Sequence, residues 1–188
     1  MISIERNQRM KELPEIYIEL EDNEWPFTYT DHDRLIARAV VFDDNGWLYF
    51  VRADRDDDFG KAAFLETSGG GVEEGESPDE AIIRELREEL GAETEIVCRI
   101  GIVSDYYNLV HRHNIGHYYL CRALTFGERH LMPDEIEDFH LSVRKMHYAD
   151  ALKQYERYAV TRIGRLIAAR EIPVLKRAGE ILELEEKC

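Results

Sequence analysis

Short β-rich runs and two long stretches of helical spacing divide this chain. Residues 35–42 and 47–51 are rich in β-branched and aromatic side chains and flank Asp43-Asp44-Asn45-Gly46. Asn-Gly between such runs is a strong hairpin signal, because the favoured two-residue turns need positive φ and these residues supply it cheaply. Residues 95–103 and 117–124 read as further strands, and another strand-like run covers 139–148. The acidic stretch 55–60 reads as a loop, and 126–138 as a longer loop that ends in Glu135-Ile136-Glu137.

Residues 70–92 carry the most defined local pattern. Gly69, Gly70 and Gly71 form a turn in which backbone can approach a ligand closely. Ser77 then suits an N-cap and Pro78 the first helical position, while Asp79 and Glu80 favour the positive end of the helix dipole and Glu80 completes a capping box. Gly91 ends the helix. Ile82, Ile83, Leu86 and Leu90 collect on one side of it, and Glu85, Glu88 and Glu89, spaced i, i+3, i+4, on another. The predicted helix is packed on a core and carries an acidic face.

From residue 149 the spacing turns helical again, with Leu152, Tyr155, Ala159, Ile163, Leu166 and Ile167 recurring on one side. Pro173 is expected to break this helix, because proline has no N–H and crowds the preceding turn. A second amphipathic segment follows with Leu175, Ala178, Ile181 and Leu182. The chain thus divides into an acidic lead-in over 1–33, one domain over 34–172, and a terminal helix over 173–188 packed on that domain or at a homodimer interface. The lead-in has Ile16, Tyr17, Ile18 and Trp25-Pro26-Phe27 as apolar anchors, expected to form an extra strand or a dimer element.

Composition narrows the partners. With 188 residues, 44% of them hydrophobic, the chain is long enough for one domain with a proper core. A net charge of −15 repels nucleic-acid backbones, so long RNA or DNA is a poor partner, as is a highly phosphorylated inositol. Cys98, Cys121 and Cys188 have no metal-like spacing and read as buried free thiols in a reducing cytoplasm. No charged leader with an apolar core and no apolar run of membrane-spanning length stands out, so neither secretion nor a membrane span is expected.

Three carboxylates within a few ångströms repel one another by about a kcal/mol or more per close pair at a protein surface. A hard divalent cation relieves that repulsion, and all-oxygen ligands suit Mg²⁺ or Mn²⁺, which bridge carboxylates to substrate phosphates. The whole segment resembles the Nudix box, Gly-x5-Glu-x7-Arg-Glu-U-x-Glu-Glu-x-Gly-U, where U is bulky or aliphatic. Gly70, Glu76, Arg84, Glu85, Leu86, Glu88, Glu89, Gly91 and Ala92 fill every defined position.

That resemblance implies an α/β fold, an α/β/α sandwich with a mixed sheet and a catalytic loop-helix-loop. It also implies a hydrolase that uses Mg²⁺ or Mn²⁺ to cleave a diphosphate linkage in a nucleoside diphosphate joined to another moiety X. The partner would be a small nucleotide or nucleotide-sugar diphosphate. Glu85, Glu88 and Glu89 resemble the metal-binding glutamates, Gly70 is placed to offer a carbonyl, Arg84 looks like the residue that orients the acidic cluster, and Glu76 braces the loop. Ser68 stands where the family often has proline, which should loosen the turn without removing a ligand. Glu85 or a late-loop glutamate, Glu135 before Glu128 or Glu137, would act as base, and Tyr106 and Tyr107 stand where substrate-selecting residues tend to occur. His111, His113 and His117 fit no zinc pattern and read as a polar loop entering a strand. The rival reading is a catalytically idle Nudix-fold module for nucleotide binding or protein interaction; an isomerase of this fold would need an early catalytic cysteine, and the first here is Cys98.

Overall fold

The apolar runs of this chain are nearly continuous because neighbouring residues are buried on opposite faces of one sheet. In a strand, successive side chains point to opposite sides, so a sheet covered on both faces needs apolar residues at every position. Val40 and Val41, Tyr118 and Tyr119, and Leu120 and Cys121 are such pairs, each split between two separate core clusters. The computed structural model describes residues 13–132 and 140–183.

Among the described residues the strands are β1 (Ile16–Leu20), β2 (His32–Phe42), β3 (Leu48–Asp57), β4 (Gly60–Glu66), β5 (Ser68–Gly71), β6 (Ala92–Tyr107), β7 (Arg112–Phe126) and β8 (Ser142–Met146). They form one mixed sheet in the order β1-β6-β7-β2-β3-β4, with β5 paired to β2 and β8 to β3. β6 and β7 are antiparallel, joined by a 3-10 turn at Asn108–Val110. β2 lies parallel to β7, from His32 opposite Arg112 to Phe42 opposite Arg122. The helices are α1 (Pro78–Leu90), α2 (Tyr148–Tyr158) and α3 (Arg162–Leu182). On one face, Ala81, Ile82, Leu86 and Leu90 of α1 cover Ala37, Ala39, Val41, Tyr119 and Cys121. On the other, α2 and α3 bring Tyr155, Ile163, Ile167 and Leu175 onto Val40, Phe42, Tyr118 and Leu120. The result is the expected α/β/α sandwich.

Several expectations are corrected. The acidic stretch 55–60 is no loop: β3 runs to Asp57 and turns at once into β4, the two strands paired from Val51 opposite Glu66 to Asp57 opposite Gly60. Alternating charges there hid a strand whose outer end is exposed. Pro173 does not break the last helix, which continues to Leu182. The break falls earlier, at residues 159–161, where Thr161 caps α3 by accepting a hydrogen bond from Gly164 at 3.1 Å. Leu175, Ala178, Ile181 and Leu182 therefore belong to one long helix and pack on the protein's own core. The lead-in supplies β1, parallel to β6 with Ile16 opposite Gly101. Cys121 is buried and Cys98 half-buried, both free; Cys188 lies outside the described residues. Among the described residues no helix is long and apolar enough to cross a membrane.

α3 also carries charge into the second core. Arg170 and Glu171 occupy positions of its apolar stripe and are 4% and 0% exposed. Arg170 donates to Glu66 at 2.9 Å, to the Tyr107 hydroxyl at 2.7 Å and to Glu171 at 3.0 Å, and lies 3.6 Å from Asp105. Glu66 is also approached by Arg38 at 3.3 Å and Arg55 at 3.8 Å. Burial alone would raise the pKa of Glu66, but the charges of Arg38, Arg170 and Arg55 outweigh it and hold the carboxyl at about 2.

Two outcomes are expected. Truncation after Ile172 removes Val174, Leu175, Ile181 and Leu182 from the core. At about 1.5–3 kcal/mol per buried aliphatic side chain, that loss is comparable with the whole stability of a domain, so the truncated chain should lose its cooperative thermal transition. A retained transition would show that α3 is dispensable. Because the folded pKa of Glu66 is depressed, its contribution is complete above the ordinary carboxyl value and is lost as pH falls toward 2. Glu66→Gln should therefore cost about 3 kcal/mol at pH 7, and the gap between variant and wild type should roughly halve by pH 3. Urea unfolding at the two pH values measures this, and a gap that does not change would contradict the arginine clamp.

Candidate active site

β5 presses the glycine loop between β2 and α1. Gly69 faces Arg38, Gly70 faces Ala37 and Gly71 faces Ile36 across the β2–β5 ladder. Gly69 has φ 136°, and a Cβ there would stand 2.1 Å from the carbonyl oxygen of Ala37. A Cβ on Gly70 would stand 2.6 Å from Oε1 of Glu85. Only glycine lets this backbone lie directly against a helix carboxylate. α1 starts where the sequence places it: Ser77 accepts from the Glu80 N–H while Glu80 accepts from the Ser77 N–H, and Gly91 ends the helix in the left-handed region.

Arg84 ties the loop to the helix. Its Nε and Nη2 reach both oxygens of Glu76 at 2.9 Å, and Nη2 also donates to the Gly71 carbonyl at 2.9 Å. Nη1 donates to Glu85 at 2.8 Å and to Glu88 at 3.1 Å. The forked bond from Arg84 holds the Glu76 carboxyl below its usual range, and Glu76 in turn accepts from the Glu73 N–H at 3.0 Å, closing the loop. The bracing expected of Glu76 and the orienting expected of Arg84 are thus one network.

Glu85 and Glu89 are buried, whereas Glu88 is partly exposed. Glu89 accepts from the Ser68 hydroxyl at 2.5 Å and from the Gly69 N–H at 2.8 Å. Burial pushes its carboxyl up to about 8, even though both hydrogen bonds favour the anion. Ser68 therefore does not loosen the turn. Its hydroxyl fixes a glutamate that a proline could not reach.

Glu85, Glu88, Glu89 and the Gly70 carbonyl are hard oxygen donors of the kind divalent cations take. As they stand they do not converge: Glu85 and Glu88 turn toward Arg84, Glu89 toward Ser68, and among the described residues no three such side chains are gathered round one point.

A cavity of about 450 Å³ opens beside this face. Gly69, Gly70, Gly71, Glu85 and Glu89 form one wall, and Arg34, Arg112, Asn114 and Phe59 stand among those forming the rest, over Arg38, Glu66, Arg170 and Tyr107. Of the two tyrosines, Tyr107 reaches the cavity, whereas Tyr106, one residue away in β6, stacks on His113 at 4.2 Å between centroids and is not in the cavity wall. His113 bonds Asp33 and Ser104, and His111 bonds Thr28 and stacks on Tyr29; neither they nor His117 line the cavity. Glu128 is exposed and away from the cavity, while Glu135 and Glu137 lie outside the described residues. Sequence reasoning missed the arginines. Their signal was present, since Arg34 and Arg38 recur at even spacing within an apolar strand, and Arg170 interrupts an apolar helical stripe.

Comparison with known proteins adds an independent line. A family model described as the NUDIX domain matches residues 32–162. Among solved structures, a NUDIX hydrolase from Nitrosomonas europaea aligns with a TM-score of 0.57 at 17% identity over 81% of this chain and 90% of its own. The E. coli ORF135 protein aligns with 0.55 at 19% identity over 83% and 95%. A UDP-X diphosphatase aligns with 0.53 at 14% identity over 85% and 67%. At these identities the structures speak for the fold alone, and no curated protein matches. With a complete Nudix box placed on the loop and helix just described, and the family model covering most of its length, the chain belongs to the Nudix family.

Proposed function

We propose that this protein is a Mg²⁺- or Mn²⁺-dependent hydrolase that cleaves the diphosphate linkage of a nucleoside diphosphate joined to a moiety X. The observation that carries this reading is the cavity wall: Glu85 and Glu89 of the acidic helix face line a space of about 450 Å³ together with the glycine loop. Glu85, Glu88, Glu89 and Gly70 would hold the metal. The fit rests on Glu89, a buried carboxyl that lacks a full counter-charge, which is what a divalent cation provides. When bound, the metal neutralises phosphate charge and lowers the pKa of its water.

The chain's own residues do the rest. Arg84, anchored by Glu76 and the Gly71 carbonyl, fixes the Glu85 and Glu88 carboxylates. Ser68 and the Gly69 N–H hold Glu89. Glu85, which lines the cavity, would take the proton of the attacking water, with Glu135 as the alternative base. Tyr107, fixed through its hydroxyl by Arg170, offers a rigid ring surface to the substrate. One of the structural neighbours is a UDP-X diphosphatase, and a nucleotide sugar of that class belongs in the first substrate panel. The panel, with ADP-ribose, dinucleoside polyphosphates and nucleoside triphosphates in Mg²⁺ and in Mn²⁺, tests the reading. Tight nucleotide binding without turnover on any of them would favour the idle module.

Glu88→Gln and Glu89→Gln should each lower turnover by about two orders of magnitude or more, the scale of a lost electrostatic or metal contact. Both should fold, Glu89→Gln because a neutral amide removes a buried charge that burial already disfavours. Near-normal turnover at saturating metal in either variant would remove the assignment. Mg²⁺ or Mn²⁺ should also raise the melting temperature of the wild type, since a ligand of the native state adds RT ln(1 + [L]/Kd). A Glu85/Glu88/Glu89 triple glutamine variant should respond much less, and equal shifts would mean nonspecific screening of the −15 charge.

A further inference from the structure

Asp33, His113 and Ser104 stand on three neighbouring strands with their polar atoms in one chain of contacts. His113 of β7 lies opposite Asp33 of β2 on one side and opposite Tyr106 of β6 on the other. Ser104 is two residues from Tyr106 and so shares its face of the sheet. Nδ1 of His113 is 2.7 Å from Oδ1 of Asp33, and Nε2 is 2.8 Å from Oγ of Ser104. The Tyr106 ring stacks on the imidazole with 4.2 Å between centroids and 13° between planes, which fixes the plane of the histidine. By strand alternation these side chains project away from Arg34, Arg112 and Asn114 of the cavity wall, and Asp33, His113 and Ser104 take no part in that wall.

Hydrogen-bond chemistry gives each atom its part. A carboxylate only accepts, so Nδ1 carries a proton toward Asp33. In the neutral imidazole Nε2 is then an acceptor, and the Ser104 hydroxyl donates to it. A hydroxyl whose proton already points at a base, with that base anchored by a carboxylate, is the arrangement of an activated nucleophile. The His113 side chain is 12% exposed and so is sheltered, whereas Ser104 is only half-buried and open to a reagent.

The surroundings of Ser104 restrict what it can attack. β6 is paired on both sides there, with Glu19 of β1 and Ile115 of β7, so its backbone N–H is drawn into the ladders and is not free to hold an oxyanion. Acylation is then confined to donors whose leaving group is already stable as an anion. The neighbours on this face favour an apolar acyl part. Ile115 lies opposite both Ser104 and Leu35, and Ile102 lies opposite Tyr17, with Leu35 37% and Tyr17 67% exposed.

We propose that Ser104 is a second nucleophile of this protein, with His113 as its base and Asp33 as the positioning residue, and that it takes a short apolar acyl group from an activated ester. Oγ bonds to the acyl carbon as its proton passes to Nε2, and the bond from that carbon to the leaving oxygen breaks. The leaving group departs as an anion and His113 releases the proton to solvent. Water later attacks the Ser104 ester with His113 again as base, which frees the carboxylic acid and restores the hydroxyl. The site shares no residue with the glutamate face, so it stands or falls apart from the hydrolase reading.

The full chain, mixed with 4-nitrophenyl butyrate, tests this. A burst approaching one nitrophenolate per chain should precede a slow steady release. Peptide mass spectrometry should place the butyryl group on Ser104, and diisopropyl fluorophosphate should label the same residue. Ser104→Ala should lose the burst and both labels while melting like the wild type. His113→Gln should slow acylation by about a hundredfold or more, the scale of a lost general base. Asp33→Asn should slow it by about tenfold, with Asp33→Glu recovering part, because an anchoring carboxylate fixes the histidine tautomer. No burst in the wild type, a label on Cys98 or His113 with Ser104 unmodified, or a burst that persists in Ser104→Ala would overturn the proposal. So would equal labelling of Ser104 in the wild type and in His113→Gln. Each rate divided by that toward free imidazole, butyrate should exceed acetate, and equal ratios would overturn the choice of an apolar acyl group.

Discussion

The guanidinium of Arg84 ties the acidic helix face to the glycine loop. Three glutamates on one edge of a helix repel one another, and without a fixed cation they would splay into solvent or take up protons. Arg84 answers this with five donors in a rigid plane. One edge is spent on Glu76 and the Gly71 carbonyl, which makes the arginine part of the loop, and the remaining amine holds Glu85 and Glu88. A lysine could balance charge but could not hold loop and helix in one geometry. The capping box at Ser77 and Glu80 and the apolar contacts of Ile82, Leu86 and Leu90 fix the helix that carries the arginine. The position of the carboxylates is thus set by packing on one side of α1 and by a single fork on the other.

Glu89 is held differently, and the difference has chemical weight. Among the described residues its carboxylate forms no ion pair with an arginine, and it lies buried on the hydroxyl of Ser68 and the N–H of Gly69. Neutral donors stabilise an anion less than a full charge does, so burial prevails and raises the carboxyl pKa to about 8. Glu85 and Glu89, one helix turn apart, are therefore held by unlike partners, a guanidinium for one and two neutral donors for the other. Unlike environments for neighbouring carboxylates are a common sign of divided chemical roles.

Net charge is a poor guide to a cavity. The chain is strongly acidic as a whole, yet the cavity beside the acidic helix face is bordered by five arginines, and a charged cluster around Glu66 and Arg170 lies beneath it within the α3 side of the core. That cluster is expensive to bury and is stable only because its arginines and carboxylates answer one another. Its internal balance has a consequence for binding. The Glu66 carboxylate draws in Arg38, Arg55 and Arg170, whereas among the described residues Arg34 and Arg112 form no ion pair and Arg34 feels the Glu85 charge only at longer range. Repulsion of a long polyanion acts over the whole acidic surface, whereas a small ligand meets chiefly the charges that line the cavity.

The sequence by itself determined α1, its caps, the glycine loop, the hairpin at Asn45-Gly46 and the acidic face. These are local: capping, turn chemistry and helical spacing operate within a few residues, and the Nudix box is a contiguous run. Through its resemblance to the Nudix family it also implied the α/β/α sandwich. What it could not determine depended on partners far along the chain. β4 and the end of β3 are strands because they pair with each other, in spite of Arg55, Asp56 and Asp57, whose side chains at an exposed edge carry no apolar signal. Pro173 stays within α3 because the helix is held on the core on both sides of it, by Ile167 and Leu175, so packing outweighs one missing hydrogen bond. Ser68 reads as a flaw in a turn until α1 places Glu89 against it. Arg34, Arg112 and Asn114 become one group only when β2 lies parallel to β7, a register set by the whole sheet, and that is why the acidic half of the site was legible in one segment while the basic half required the fold.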